Sequence, residues 1–458
     1  MVRSICNDRG PVISLVRRQV AFIVVFALGA GTSSVSAQTN AGGEKLSTLI
    51  ENVFGPRGLI VDSNVVLLDG TTHAAHFNSA FQSDIRRLNI AIASQLSGLP
   101  LPSPASGFTY RFDEDTGTFI RSTQSFGPIL TERAETIGRG KTLFGYNVQV
   151  YSFDSLDGVS LGHVPAVFKH DDVELGGGRT DVVDTDNSVK LSVSQFTGLV
   201  TFGLADRLDA SVAIPIVRTH LALTSSAVIR RFGTTRASAV HFFEDPTIPG
   251  GIGDHRDFSA DGTSTGIGDI LVRAKGTVLR RGANAIAAGT EVRLPSGDEE
   301  DLLGSGAWGV KPFVVLSFSY KRVSPHVNLG YQWNGRSVLA GDVATQVAAD
   351  LPDRIMFAWG VDSGINKRLS VALDFLADQV RQSPQLQISP LTVSGPLGSA
   401  VFQDLAFLTT SYWTSNGSAG LKFALRDGLL ANFNVRFNIG GQGLADRATP
   451  LVGLEYTF

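Results

Sequence analysis

Two stretches of this chain alternate apolar and polar side chains for longer than a strand of a soluble protein usually runs. In residues 322–334 (RVSPHVNLGYQWN) every second side chain from Val323 to Trp333 is apolar, and residues 429–439 (LLANFNVRFNI) repeat the pattern. Successive side chains of a strand point to opposite faces, so each stretch has one apolar and one polar face. Strands usually have about 5–6 residues, whereas a tilted strand that crosses a bilayer needs about 9–11. Both stretches have the length of membrane-spanning strands.

The same alternation predicts twelve strands, whose connections alternate between short and long. Outer-membrane barrels combine short periplasmic turns with long external loops, and closure removes the unpaired edges that lipid does not tolerate. We therefore expect residues 141–458 to form an all-β fold, a transmembrane antiparallel up-and-down β-barrel of about twelve strands (12–14). Two alternatives remain: residues 401–428 are long enough for two strands, and a soluble exported β-sandwich also alternates. The predicted strands are 141–154, 188–203, 207–220, 267–280, 283–294, 308–320, 322–334, 354–365, 368–380, 413–426, 429–439 and 450–458.

The first 37 residues have the composition of a secretory signal peptide. Four arginines precede the apolar run 20–30 (VAFIVVFALGA), and the small residues 34–37 (SVSA) follow it. The apolar run is too short to span a bilayer, so we expect cleavage and a mature chain that starts near Gln38. We expect an outer-membrane location of the Gram-negative type.

Composition excludes several classes of function. The single cysteine, Cys6, lies in the signal peptide, so the mature chain has no disulfide and no cysteine ligand or nucleophile. The full chain has a formal charge of −3, which makes nucleic acid an unexpected partner. The acidic loop 295–304 (PSGDEEDLLG) has no full calcium-loop spacing, and we expect it to be a solvated loop. We expect no cofactor, no metal site and no catalytic residues.

Residues 38–140 do not have the pattern of membrane strands. Apolar side chains spaced by three and four residues predict an amphipathic helix at about 77–97, and the proline-rich residues 99–107 (LPLPSPASG) end it. A hairpin is expected at about 107–123, with Asp115 and Gly117 in its turn. This segment is either a plug inside or under the barrel or a separate periplasmic module.

The polar face of the predicted strands defines a set of candidate lumen residues. Both signs of charge occur in the set, so a ladder of paired or solvated charges and a path that guides a solute are both possible readings. The surplus of Arg and Lys favours solutes that carry a carboxylate or a phenolate. The candidates are Asp269, Arg273, Lys275, Glu291, Arg293, Lys311, Arg322, His326, Asn328, Gln332, Asn334, Arg354, Asp374, Lys422, Arg426, Asn432, Asn434, Arg436, Asn438 and Glu455.

The apolar face is expected to contact lipid, with aromatic side chains near the two interfaces. The last residues, LVGLEYTF, alternate as a closing strand, and the terminal Phe458 resembles the C-terminal signal that outer-membrane assembly machinery binds. The lipid bilayer and that machinery are therefore the expected partners, besides an unknown small solute. The predicted lipid-facing or girdle residues are Trp308, Tyr331, Trp333, Trp359, Phe433, Phe437, Tyr456 and Phe458.

Four sequence motifs resemble a known family of outer-membrane barrels, the one associated with the meta-pathway of phenol degradation. They are FGLADRLDASVAIP (202–215), the paired GIGD at 251–254 and 266–269, EVRLPSGDEEDLLGSGAWGVKPF (291–313) and SPHVNLGYQWNG (324–335). Residues 125–141 (SFGPILTERAETIGRGK) are similar to that family's entry into its first strand. More distantly, the topology is similar to the long-chain fatty-acid transporters, which typically have fourteen strands and an N-terminal hatch.

We therefore expect an outer-membrane channel or transporter that passes small, hydrophobic or aromatic, molecules. A surface-binding or structural protein of the outer membrane is the first alternative. An outer-membrane barrel hydrolase is the second, although the serine-containing GSGAWG (304–309) lacks the strand-turn-helix setting of a nucleophile.

Overall fold

The structure is a computed structural model, and it describes most of the chain after Gly43. The described residues are 45–55, 58–63, 77–78, 86–100, 102–104, 110–113, 118–121, 125–170, 180–236, 240–244 and 251–458. The predicted signal peptide, residues 1–37, lies outside them. Neither helix in these ranges has the length and apolar character needed to cross a lipid bilayer.

Twelve antiparallel strands form the barrel, as the alternation predicts. One strand, β4, has two segments, because Gly268 and Asp269 interrupt it. The strands are β1 (Thr142–Phe153), β2 (Val182–Ala205), β3 (Leu208–Arg230), β4 (His255–Ile267 and Ile270–Arg281), β5 (Asn284–Leu294), β6 (Gly309–Ser317), β7 (Val323–Asn334), β8 (Arg354–Gly364), β9 (Leu369–Gly395), β10 (Gly398–Arg426), β11 (Leu429–Asn438) and β12 (Ala448–Thr457).

Each strand pairs with the next along the chain, and β12 closes the ring by pairing with β1. The last residue completes the closure, since the N–H and C=O groups of Phe458 and Thr142 bond each other at 3.0 Å in both directions. The ring of Phe458 also stacks on Phe144, with centroids 5.7 Å apart. The C-terminal residue thus belongs to the seam of the barrel.

The two ends of the barrel differ in their connections. At the turn end, tight links such as 206–207 and 427–428 join neighbouring strands. At the loop end, strands continue well past the predicted membrane boundary: β9 and β10 have 27 and 29 residues and pair out to Gly395 and Gly398. Residues 398–426 therefore form one strand and not two. Much of the predicted loops 221–266 and 381–412 is paired strand, because the alternation continues there.

The two faces of the wall differ in exposure, as the register requires. Large apolar side chains such as Leu329, Leu373 and Val452 are 57%, 48% and 54% exposed on the outer face. Polar side chains such as Asn434 and Lys422 point inward and are 0% and 1% exposed. Since no water lies beside the outer face in a bilayer, this pattern fits a wall with lipid outside and a polar lumen inside.

The described parts of residues 45–121 contain two short helices and a hairpin. Helix α1 is Leu46–Leu49 and helix α2 is Arg86–Ser97. Of the helix predicted at about 77–97, residues 86–97 are helical, whereas Phe77 and Asn78 pair with His170 and Lys169 as a short strand. Tyr110–Asp113 pairs with Thr118–Arg121, a hairpin that does not join the barrel sheet. The other short strands are Asp62–Ser63, Ser155–Leu156, Val159–Ser160, Val164–His170, His241–Glu244, Ile252–Gly253, Arg336–Asp342, Val347–Asp350 and Leu444–Ala445.

An apolar core at the loop end holds both helices. Leu46 and Ile50 beside α1 and Ile92 of α2 are almost fully buried in one cluster. Loop and strand-extension side chains such as Leu303 and Leu405 complete that cluster. Burial of a leucine or isoleucine side chain contributes about 1.5–3 kcal/mol, so this core ties the described helices α1 and α2 to the loop end of the barrel.

The outer-face register predicts that a charge in the middle of the wall is more damaging than one at its edge. Leu329→Arg places a cation in the middle of β7 and should lower the free energy of unfolding by about 2–4 kcal/mol in a bilayer, against about 0–1 kcal/mol near an interface. The matched control is Tyr320→Arg in the turn after β6, which is 72% exposed. Urea titration of protein folded into vesicles measures both, and equal losses would contradict the assignment of faces.

Candidate functional site

The candidate site begins with a length of chain that crosses the lumen. Residues 125–137 (SFGPILTERAETI), called here the crossing segment, contain no helix or strand, and each of them is buried. A buried backbone amide needs a partner, and this segment has no secondary structure to supply one. Its partners must therefore be side chains of the surrounding barrel.

Inward-pointing side chains of the barrel accept the amide hydrogen bonds of the crossing segment. Asp374 on β9 accepts from the N–H groups of Leu130 and Thr131 at 3.2 and 3.4 Å and from the Thr131 hydroxyl at 2.6 Å. The Ala134 N–H donates to Ser317 Oγ at 2.7 Å. Around the ring, Ile137 N–H donates to Asp209 at 3.0 Å and Phe126 N–H to Ser370 at 3.1 Å.

The carbonyl groups of the segment are held in the same way. Lys275 Nζ donates to the carbonyls of Arg133 and Glu135 at 2.7 and 3.1 Å. Lys422 Nζ donates to the carbonyl of Pro128 at 2.8 Å. The Asn328 side chain makes a two-way contact with Glu132, accepting from its N–H at 2.6 Å and donating to its C=O at 2.9 Å. Side chains of at least six strands thus hold one irregular stretch of backbone.

Charged side chains link the crossing segment to the wall on the β4–β6 side. Glu132 pairs with Arg273 and, at 3.1 Å, with Lys275. Arg273 also pairs with Glu291, which in turn lies 2.6 Å from Lys311. These charges alternate in sign and each is largely buried, so removing one member leaves a neighbour uncompensated, which is costly. The arrangement works as a network that fixes Glu132 against the wall.

A serine, a histidine and an aspartate lie in one hydrogen-bonded row behind the crossing segment. Ser317 Oγ is 2.8 Å from His326 Nδ1, and His326 Nε2 is 2.6 Å from Asp362 Oδ1. All three side chains are at most 2% exposed. Ser317 Oγ also accepts a hydrogen bond from the Ala134 N–H. The serine hydroxyl therefore binds the protein's own backbone and not the carbonyl group of a substrate. The row is a clamp on the crossing segment.

At the loop end, an ion pair fixes the start of the described chain. Lys45 Nζ lies 2.8 Å from both Asp298 and Asp301, and the Ser47 N–H donates to the Glu300 carbonyl at 2.9 Å. Burial lowers the pKa of Lys45, but the hydrogen bonds and charges of the two aspartates outweigh it and raise that pKa above its usual value. Two carboxylates of the acidic loop expected to be solvated thus bind Lys45.

Two arginines anchor the C-terminal end of helix α2 over the lumen. Arg293 donates to the Ser97 carbonyl at 2.8 Å and to Asn334 Oδ1 at 2.7 Å. Arg354 donates to the carbonyl and, at 2.9 Å, to the hydroxyl of Ser94. Lysines, arginines and histidines stabilise helix C-termini because the last carbonyls have no partner within the helix. The helix end therefore covers the lumen from the loop end.

A cavity of about 180 Å³ lies between the helix end and the crossing segment. Leu96 and Leu99 line it from above, and Leu130 and Glu132 line it from the crossing segment. Its wall has an apolar part and a charged part. The apolar part includes Leu271, Phe313, Met356 and Leu376, and the charged part includes Asp269, Arg273, Glu291, Arg293, Lys311, Arg354, Asp378, Arg436 and Asp446.

Most of the predicted lumen residues have their side chains on the inner face. Asp269 is at the interruption of β4, where it accepts the Ser305 N–H at 2.8 Å and lies 3.6 Å from Arg293. The following side chains are buried or half-buried and belong to the inner face: Arg273, Lys275, Glu291, Arg293, Lys311, His326, Asn328, Gln332, Asn334, Arg354, Asp374, Lys422, Asn432, Asn434, Arg436, Asn438 and Glu455.

Two predicted lumen residues lie elsewhere. The ladder between β10 and β11 shifts register between Ala424 and Arg426, and such a bulge turns later side chains to the other face. The Arg426 guanidinium accordingly lies 5.9 Å from the ring centroid of Tyr456 on the outer face. Arg322 is exposed in the turn before β7, where it donates to the Ile365 carbonyl at 3.4 Å.

The predicted girdle side chains are on the outer face, but not all of them are near an interface. Trp308 and Trp333 are exposed at the loop end, where Tyr331 lies beside Trp333 with ring centroids 4.9 Å apart. Phe433, Phe437, Tyr456 and Phe458 are 39–47% exposed. Trp359 is 44% exposed but stands mid-strand opposite Val327, so it faces lipid without belonging to a girdle.

Sequence reasoning missed the lumen residues that the crossing segment and two strands supply. Glu132 and Arg133 belong to no periodic pattern, so alternation could not reveal them. Asp209 and Asp378 have the same parity as their inward-facing neighbours, and the alternation of β3 and β9 would have found both. Within the described ranges, no three His, Asp or Glu side chains are grouped so as to hold a metal ion.

The clamp predicts a stability loss that an exposed aspartate does not share. Asp362→Ala leaves the buried His326 without its acceptor and should lower the free energy of unfolding by about 1–3 kcal/mol. Asp427→Ala, in an exposed turn, is the control and should change it by less than about 0.5 kcal/mol. Urea titration in detergent micelles measures both, and equal values would remove the clamp from the account.

Three solved structures illustrate what the fold is similar to. An outer membrane channel from Pseudomonas putida F1 is 12% identical, with 71% of this chain and 98% of that chain covered and a TM-score of 0.40. The translocator domain of the autotransporter NalP from Neisseria meningitidis is 9% identical (70% and 89%, TM-score 0.31). The P. putida toluene transporter TodX is 9% identical (69% and 89%, TM-score 0.29). These scores are too low to support a functional assignment.

The family comparison covers the middle of the chain. No curated protein sequence matches it. Residues 171–366 match a family model, and these residues contain all four motifs that carry the resemblance noted in the sequence, whereas the similar stretch 125–141 lies outside them. The resemblance is therefore confirmed: over residues 171–366 this chain matches the outer-membrane barrel family described as "Putative MetA-pathway of phenol degradation".

Proposed function

We propose that the protein is an outer-membrane channel for small molecules and that its own N-terminal segment is the gate. The observation that carries the proposal is the crossing segment, whose backbone is bonded by lumen side chains from β3, β4, β6, β7, β9 and β10. A twelve-stranded barrel lies between the filled eight-stranded and the open sixteen-stranded types. Its lumen can hold one strip of chain and still leave a cavity.

Polar contacts are suited to a gate, because they can exchange with water when the segment moves. A typical hydrogen bond contributes only about 0.5–1.5 kcal/mol net, so a stretch held by hydrogen bonds can open locally while the wall stays intact. By contrast, the strands lose a continuous ladder when they separate. We therefore assign the gate motion to the crossing segment and the barrier to lipid to the wall.

In this proposal the N-terminal part of the chain lies on a defined side of the membrane. Residues 45–50 contact the loop end, residues 125–137 cross the lumen, and Gly140 bonds Gly203 at the turn end. Because external loops are the long ones in such barrels, helices α1 and α2 would lie at the cell surface. Phe458 at the seam would present the C-terminal strand to the assembly machinery.

A surface-binding role is the second candidate, favoured by the extension of β9 and β10. Their paired tips carry exposed apolar side chains, with Leu397, Val401 and Leu408 at 53%, 63% and 54%. Such side chains are typical of contact surfaces when they cluster. This role would be compatible with a closed lumen, and conductance separates the two candidates.

Single-channel conductance tests the gate. Asp374→Ala removes the acceptor of three hydrogen bonds to Leu130 and Thr131 and should convert a mostly closed protein into one with frequent, stable openings in planar bilayers. Asp374→Asn keeps one acceptor oxygen and should open less often. Asp427→Ala in the turn is the control and should behave as wild type. If all four proteins stay closed while folded, the gating proposal fails.

Cysteine labelling tests the crossing. The mature chain is expected to lack cysteine, so single introduced thiols report position without background. Thr48→Cys in α1 and Thr345→Cys in a loop should react with a membrane-impermeant maleimide in intact cells. Arg207→Cys at the turn end should react only after the outer membrane is permeabilised. Labelling of Thr48→Cys that also requires permeabilisation would place residues 45–50 in the periplasm and contradict the crossing.

A further inference from the structure

The cations and carboxylates of the cavity wall are not paired evenly with one another. The carboxylate of Asp378 lines the cavity together with three cations, Lys311, Arg354 and Arg436. The side chain of Asp378 is 19% exposed, and its carboxylate forms an ion pair with the Arg354 guanidinium at 3.6 Å. Lys311 pairs with a different carboxylate, that of Glu291, at 2.6 Å.

Arg436 is the arginine of the cavity wall with the fewest acceptors. It donates to Thr449 Oγ1 at 3.1 Å and its guanidinium lies 5.0 Å from the ring centroid of Tyr151. Within the described part of the chain, no carboxylate lies within ion-pair distance of Arg436. A guanidinium has five N–H donors in a planar fork that matches a carboxylate. Arg436 lines the cavity and therefore keeps donors for an acceptor that enters it.

Two other arginines of the cavity, Arg273 and Arg293, are already occupied. Arg293 has the carbonyls of Ser97 and Ala307 and the side chain of Asn334 as acceptors. Arg273 pairs with two glutamates. The carboxylates Asp269 and Asp446 likewise accept backbone N–H groups, from Ser305 and Ser152. The carboxylates of the wall thus have hydrogen-bond donors, whereas Arg436 keeps N–H groups without an acceptor among the described residues. This difference favours an anion over a cation as the molecule that enters the cavity.

The apolar part of the wall determines what else the ligand must carry. Phe313, Met356 and Leu376 line the cavity, and Leu130 of the crossing segment completes the surface. Pockets of this kind orient a ligand by a few polar groups and bind its body by apolar contact. A cavity of about 180 Å³ admits a molecule of roughly one substituted ring.

We propose that this cavity binds small organic monoanions, with the carboxylate or phenolate on Arg436, assisted by Arg354, and the apolar body against Phe313, Met356 and Leu376. The proposal deepens the proposed function and rests on it only in assuming that the cavity lies on the path of the solute through the channel. Asp378 then acts as a competitor that keeps the site weak enough to release its ligand. Its charge occupies the same cations in the absence of solute.

Isothermal titration calorimetry of the refolded full-length protein tests the site with benzoate, benzyl alcohol and acetate as probes. We expect benzoate to bind more tightly than either benzyl alcohol, which lacks the charge, or acetate, which lacks the ring. Arg436→Gln should weaken benzoate about tenfold or more, because a hydrogen bond to a charged group contributes about 1.5–3 kcal/mol. It should leave benzyl alcohol unchanged.

A second variant should change the benzoate affinity in the opposite direction. A folding defect in the first variant therefore cannot decide the test. Asp378→Asn should tighten benzoate binding several-fold, since it frees cations for the ligand. Arg280→Gln, an exposed arginine at the turn end, is the matched control and should bind as wild type. Benzoate binding that is equal in wild type, Arg436→Gln and Asp378→Asn would overturn the proposal, as would equal affinities for benzoate and benzyl alcohol.

The outcome is separable from that of the gate. Benzoate binding with the expected dependence on Arg436 supports the site even if Asp374→Ala stays closed, which overturns the gate alone. Openings in Asp374→Ala without charge-dependent benzoate binding overturn the anion site alone.

Discussion

The structure depends on one requirement: the buried backbone of residues 125–137 must find hydrogen-bond partners although it forms no helix or strand. Backbone N–H and C=O groups are rarely left unpaired when buried. The barrel meets the requirement with side chains such as Asp374, Asn328 and Lys275, whose donors and acceptors point inward by the parity of their strands. The polar lumen is therefore the binding surface of the chain's own crossing segment.

This requirement explains why the lumen carries so many charges without an open channel. Glu132 forms ion pairs with Arg273 and Lys275, and the Lys422 ammonium donates to a carbonyl of the crossing segment. Close to the turn end these groups are committed to holding the chain. Farther toward the loop end, where helix α2 covers the lumen, Arg436 retains donors beside an apolar wall. The proposed gate and the proposed solute site thus lie at different levels of one lumen.

The sequence predicted the wall better than its contents, for a physical reason. Lipid and a polar lumen impose strict alternation, so twelve strands and the inward side of residues such as Asn434 and Lys422 could be predicted. Alternation fails where a bulge intervenes, as at Arg426, and it does not mark where a strand leaves the membrane, as in β9 and β10. The crossing segment has no periodicity because each of its contacts is individual, so Glu132 and the clamp behind Ala134 could not be foreseen.

Hydrogen–deuterium exchange of the full-length protein in detergent or lipid tests the central claim most directly. If lumen side chains hold the backbone, the amides of Leu130, Thr131, Glu132, Ala134 and Ile137 exchange as slowly as those of the barrel strands, although they belong to no strand or helix. Exchange of the same amides at the rate of the exposed loop residues 344–346 would contradict the account. In that case the lumen side chains would not be holding the segment and the gate would have no physical basis.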